Sequence, residues 1–190
     1  LTEVQKATIM AMASLAETRD SDTGNHLHRT QYYVLALAKH LQTHPRFAAA
    51  LDDRSIDAIY RSAPLHDIGK VGIPDHILLN KGRLTPEEFE VMKTHAQIGA
   101  DTIGKAIAKA RALHATDTPL AGSEETSDAS EPLRALEVAR TMAESHHEHW
   151  NGTGYPGGLA GESIPLAGRL MAVADVFDAL TTNRPYKTGW

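Results

Sequence analysis

Several short segments of this chain carry side chains that bind metals or move protons, and they follow one another in a distinctive order. His26 stands in TGNHLHR, His66 and Asp67 in LHDIGK, His95 in MKTHAQIG, His146 and His147 in ESHHEHWNGTGYPGG, and Asp175 in AVADVFDAL. A single histidine on a helix is most often solvated or hydrogen-bonded locally. Several of these residues lie instead in windows whose apolar spacing reads as core-facing helix, where an unpartnered imidazole or carboxylate is costly. Asp175 interrupts the run Leu170-Met171-Ala172-Val173-Ala174-Asp175-Val176-Phe177, and a charge in that setting calls for a strong partner. A cation satisfies imidazole and carboxylate lone pairs together, so metal-dependent chemistry is the first expectation.

The elements that must position these groups read as helices. Apolar residues recur with helical period from Leu1 to Arg19, Asn25 to Leu41 and Ser55 to Asp67, and again from Leu133 to Trp150 and Pro165 to Thr182. Thr85-Pro86-Glu87-Glu88 has the pattern of a helix start, with Thr85 as cap, Pro86 in the first position and Glu88 reaching back. The helix that follows places His95 on or beside its buried stripe. Asn151 to Gly158 must be loop, because so many glycines and a proline cannot sustain a helix. His114 to Pro132 is small, acidic and hydroxylic without apolar periodicity and reads as a flexible surface loop.

Composition agrees with an all-α domain. With 190 residues the chain can bury about 70% of its extended surface in one core. Its 42% hydrophobic content and only 5% aromatic residues favour Ala- and Leu-rich helices over a β-sandwich. A net charge of -5 argues against a DNA-binding surface, which would present a basic stripe. Cysteine is absent, which removes disulfides and thiolate metal sites and is compatible with the cytoplasm. No apolar run reaches the length of a membrane span. A start without Met, inside a helical pattern, reads as a piece of a longer protein.

Together TGNHLHR, HDIGKVGIPD, His95, HHEHWNGTGYPGGLAGESIPL and ADVFDALTTNRPYK resemble the HD-GYP phosphohydrolases of bacterial cyclic-dinucleotide signalling, over nearly the whole chain. The resemblance implies a single domain over residues 1–190 with an HD-type helical bundle and a Gly-rich loop. It also implies hydrolysis of cyclic di-GMP to the linear dinucleotide pGpG and in many members onward to GMP. Alternatives are another dinucleotide substrate, such as cyclic GMP-AMP or pGpG, or a catalytically weak module that binds cyclic di-GMP. An upstream receiver or sensor domain and diguanylate cyclase partners belong to the same expectation, as does continuation of the domain past Trp190.

The chemistry implied is attack on a phosphodiester by a water that two divalent cations make acidic enough to ionise near neutral pH. Asp67 is suited to bridge the pair through its two oxygens. By similarity, His26, His66 and Asp175 complete one site with Asp67, and His95, His146 and His147 the other. Nitrogen and oxygen donors without sulfur suit Fe, Mn, Ni or Zn. Family members with three metals have a Glu where this chain has the shorter Asp22, which favours two. Lys70, three residues after Asp67, is expected at the scissile phosphate, where its charge offsets that of the transition state. Arg184 and Lys187 are expected at the other phosphate, with cations near a helix end as the plainer alternative. Gly154 and Tyr155 are expected to meet the substrate through backbone N–H groups and an aromatic ring. Asp178 shares a helix face with Asp175 and is suited to orient a ligating histidine.

Overall fold

The computed structural model describes residues 3–17, 25–116 and 130–182, and within them the chain is all-α. Helix α1 runs Glu3–Glu17, α2 His26–Gln42, α3 Asp53–Ser62, the short α4 Asp75–Leu78, α5 Pro86–Thr116, α6 Ser130–Ser145 and α7 Leu166–Thr181. No helix among the described residues is long and apolar enough to cross a membrane.

Two apolar clusters hold the bundle together. One joins Val34 and Ala38 of α2, Ile56 and Ile59 of α3, Met142 of α6 and Leu170, Met171 and Ala174 of α7. The other joins Ala13 of α1, Leu27 of α2, Leu65, Ile103 and Ile107 of α5, and Ala139 and Ala143 of α6. A smaller cluster of Ile73, Ile77 and Leu78 seats α4 under Leu84, Met92 and Ile98. Helix α5 begins as its sequence predicts. The Thr85 N–H donates to the Glu88 carboxylate at 2.8 Å and the Glu88 N–H to the Thr85 hydroxyl at 3.2 Å, a reciprocal cap.

The expected helix from Ser55 to Asp67 begins earlier and is broken. Asp52 caps it, accepting from the Ser55 N–H at 2.7 Å, and regular helix stops at Ser62, where a 3-10 turn spans Ala63–Leu65. Pro64 has no N–H to give the Tyr60 carbonyl, and the Gln31 side chain of α2 takes its place at 3.0 Å. A second 3-10 segment, Ile68–Gly72, lies directly on α5. A Cβ on Gly69 would fall 1.9 Å from the His95 carbonyl oxygen and 2.5 Å from the Gly99 nitrogen. Only glycine permits that approach, which brings Asp67 against His95.

Three further expectations are corrected. The helix expected to run to Trp150 ends at Ser145, because the His147 carbonyl accepts from the Tyr155 N–H at 3.2 Å instead of continuing the ladder. The loop expected over 114–132 is narrower: α5 continues to Thr116 and α6 begins at Ser130, with Pro132 tolerated in its first turn, and residues 117–129 lie outside the described residues. The apolar run around Asp175 is not a buried one. Val173, Val176 and Phe177 are exposed, since the helical period sends Leu170, Met171, Ala174 and Asp178 inward and these three outward.

Candidate metal centre

Asp67 lies between the two 3-10 segments, with histidines converging on it from three sides. Its Oδ1 is 3.3 Å from His95 Nε2 and 3.4 Å from His146 Nε2, while its Oδ2 is 3.3 Å from His66 Nε2 and 2.7 Å from Lys70 Nζ. The donors fall into two groups that share Asp67. His26, His66 and Asp67 form one, Asp67, His95, His146 and His147 the other, and within each group the ligand atoms lie within 4.8 Å of one another. Asp175 adjoins the first, its Oδ1 3.6 Å from His26 Nε2.

Backbone carbonyls fix which nitrogen each ring presents. Nδ1 of His66 faces the Ala63 carbonyl at 2.8 Å, Nδ1 of His95 that of Met92 at 2.7 Å, and Nδ1 of His146 those of Met142 and Ala143 at 3.1 and 3.0 Å. A carbonyl only accepts, so Nδ1 carries the proton and Nε2 turns toward Asp67. His26 is oriented differently: its Nδ1 meets Asp178 Oδ2 at 2.8 Å. Asp178 is buried and also accepts from Arg29 Nε at 2.6 Å and Nη2 at 2.9 Å. The Nε2 atoms of His26, His66, His95 and His146 and Asp67 Oδ1 are buried without a hydrogen bond. So many unsatisfied polar atoms facing one place are costly in a dry interior, and a nitrogen and oxygen donor set of this kind fits a transition-metal ion. This cluster could bind metal.

The electrostatics without a cation follow from the same contacts. Burial works against the Asp67 anion, yet the Lys70 ammonium and His66 hold its carboxyl well below the usual range. Burial likewise works against protonating His66, but the Asp67 carboxylate overrides it and raises the imidazole to about 9. His147 is driven the other way, to about 2, by burial and by His146 beside it. Burial and the Asp67 charge push the Tyr155 hydroxyl up.

The Gly-rich loop is tied to this cluster by a residue not anticipated from the sequence. Glu148 is buried, and its carboxylate accepts from the Gly157 N–H at 2.6 Å and the Leu159 N–H at 2.9 Å. The turn packs so closely that a Cβ on Gly154 would lie 2.2 Å from the His149 nitrogen and 2.5 Å from Glu148 Cα. It delivers the Tyr155 ring onto His147, stacked at 4.7 Å and 27°. Glu148→Ala should cost about 1–3 kcal/mol, since both amides lose a charged acceptor but sit where water can replace part of it. A thermal melt several degrees lower, with faster proteolytic nicking at 151–160, is the expected result. An unchanged melt and nicking pattern would show that the carboxylate does not hold the loop.

The structure thus brings His26, His66, Asp67, His95, His146 and His147 together, sets Asp175 at the rim, and places Lys70 on Asp67. His28, His40, His44, His76 and His149 are exposed and belong to neither donor group. Asp22, Arg184 and Lys187 lie outside the described residues. Arg29 and Glu148 were missed. A signal existed for each: Arg29 follows His26 by three residues, on the same helix face, and Glu148 precedes a loop whose amides need acceptors.

The profile of an HD domain matches residues 121–190. A probable cyclic di-GMP phosphodiesterase of Vibrio cholerae is 49% identical over 187 residues, 98% of this chain and 38% of the relative. The cyclic di-GMP phosphodiesterase response regulator RpfG of Xanthomonas campestris pv. campestris is 37% identical over 188 residues, 99% of this chain and 41% of the relative. A 3'3'-cGAMP-specific phosphodiesterase 2 of Vibrio cholerae is 35% identical over 190 residues, 100% of this chain and 30% of the relative. The chain therefore spans well under half the length of these curated relatives.

Proposed function

We propose, from the HD-domain match, the similarity to cyclic di-GMP phosphodiesterases and the geometry around Asp67, that the chain is an HD-GYP metal-dependent phosphodiesterase of cyclic di-GMP. The observation that carries the reading is the pair of donor groups sharing one carboxylate, with their Nε2 atoms buried and unsatisfied. Two divalent ions of Fe, Mn, Ni or Zn would be held by His26, His66, Asp67 and Asp175 on one side and by Asp67, His95, His146 and His147 on the other. Bound there, they would supply a water acidic enough to attack phosphorus near neutral pH and positive charge for the transition state.

The chain's own groups do the rest. Asp67 stays ionised beside Lys70 and so offers both oxygens to the ions. The Lys70 ammonium, already in the cluster, is within reach of a phosphate oxygen bound against Asp67 and would offset its growing charge. Arg29 and Asp178 keep the His26 proton on Nδ1, leaving Nε2 free. Tyr155 and the backbone at Gly154 would border the substrate, and Arg184 and Lys187 would take the distal phosphate. An upstream receiver or sensor domain belongs to the same reading, supported by the response-regulator name of one relative.

Cyclic GMP-AMP is the alternative to cyclic di-GMP as substrate, on the ground that 35% identity links the chain to a relative named for it, against 49% for the cyclic di-GMP relative. One experiment tests all of this: elemental analysis of the purified protein together with chromatography of the products from each dinucleotide. About two metals per chain and conversion of cyclic di-GMP to pGpG are expected. Hydrolysis persisting in metal-free protein would refute the mechanism, and turnover confined to cyclic GMP-AMP would reassign the substrate.

A further inference from the structure

Phe89 stands in the first turn of α5 with 47% of its surface exposed. A lone exposed apolar residue is ordinary, but this ring ends a series that begins at the donor cluster. Tyr155 stacks on His147, and Phe89 meets Tyr155 edge to face, centroids 6.2 Å apart and planes at 87°. Lys93, one turn along, holds its ammonium 5.7 Å from the Phe89 centroid and 5.9 Å from that of Tyr155, with the Glu90 carboxylate 2.6 Å from the same nitrogen. The ring is thus in contact with Tyr155 on one side and with a cation on another, while nearly half of the residue's surface stays in solvent.

Resting on the phosphodiesterase reading above, we propose that Phe89 is a purine-stacking residue that receives a guanine base of the cyclic dinucleotide when its phosphate lies at Asp67. The base and phosphate of a nucleotide are joined through one ribose, and Phe89 is two ring contacts outward from the donor cluster, which suits that separation. Bases stack readily on exposed aromatic faces, and a ring already held in place loses little freedom when one arrives. The Tyr155 ring is stacked on His147, so Phe89 is the neighbouring aromatic residue with exposed surface to offer.

The test uses the metal-loaded protein, with steady-state kinetics on cyclic di-GMP and titration calorimetry with its non-hydrolysable phosphorothioate analogue. Phe89→Ala should raise KM and the analogue's Kd roughly 10-fold, from the usual contribution of one stacked base, with kcat and metal content within about twofold of wild type. Phe89→Trp should restore both constants, because it returns a π face. An unaltered KM and Kd in Phe89→Ala would overturn the proposal, and so would a loss confined to kcat, which would mean that Phe89 only props Tyr155. A wild type that does not turn over cyclic di-GMP would remove the reading beneath it, and the two failures are separable in one data set.

Discussion

Asp67→Ala is expected to lose both metal retention and hydrolysis while keeping the helix content of the wild type. The residue lies within 3.4 Å of three imidazole nitrogens and 2.7 Å from the Lys70 ammonium, and among the described residues it is the one shared by both donor groups. A residue that merely orients one ligand typically costs 10–100-fold in metal affinity or activity, and a carboxylate proposed to serve both ions should cost more, on the order of 1000-fold. The fold should survive, because Asp67 caps no helix through its side chain and belongs to neither main apolar cluster. Elemental analysis, circular dichroism and a product assay on the same sample decide the matter. Two metals retained by Asp67→Ala would remove Asp67 from the bridging role.

Gly69→Ala should be as damaging, for a steric reason. Its Cβ would land on the backbone of α5, 1.9 Å from the His95 carbonyl oxygen, and backbone cannot turn aside as a side chain can. The 68–72 segment would have to lift from α5 and carry Asp67 away from His95. Overpacking costs about 1–3 kcal/mol where side chains can shift, and this contact should sit at or above the upper end. At about 2–4 °C per kcal/mol for a domain of this size, calorimetry should show Tm lower by roughly 10 °C, with metal content reduced as well. Gly104→Ala is the control: its Cβ would meet only the Arg140 side chain at 3.6 Å, and removing a helix-interior glycine should raise stability by about 0.5–1 kcal/mol. Gly69→Ala with wild-type Tm and metal content would disprove the argument.

Part of the donor set was legible in the sequence as local exceptions to a local pattern, while its assembly into two groups, with His26 and Asp175, came from the resemblance to a family. A histidine on an apolar helical stripe, or a His-Asp pair at the end of one, can be recognised without knowing what packs against it. The Thr85 to Glu88 cap was legible for the same reason. What escaped were consequences of contacts distant in sequence. Pro64 announces a helix break, but Gln31, 33 residues earlier, is what makes the break tolerable by covering the Tyr60 carbonyl. The end of α6 depends on Tyr155 and Glu148 pulling the following chain into a turn. Asp175 looked buried because its neighbours are apolar, yet Val173, Val176 and Phe177 face outward, and composition alone does not say which side of a helix meets the core.

The carbonyl anchors on His66, His95 and His146 have a consequence for the thermodynamics of ion uptake. Each of these imidazoles is already held in one rotamer with one tautomer by a bond within its own turn of chain, so the ordering entropy that ligand side chains usually lose on coordination is spent during folding. Exchanging one cation for another then asks little rearrangement of these three rings. Differences in affinity along the first-row series should therefore track the intrinsic preference of nitrogen and oxygen donors, rising from manganese toward nickel, and the ion that would occupy such a site in a cell would be set as much by supply as by selection.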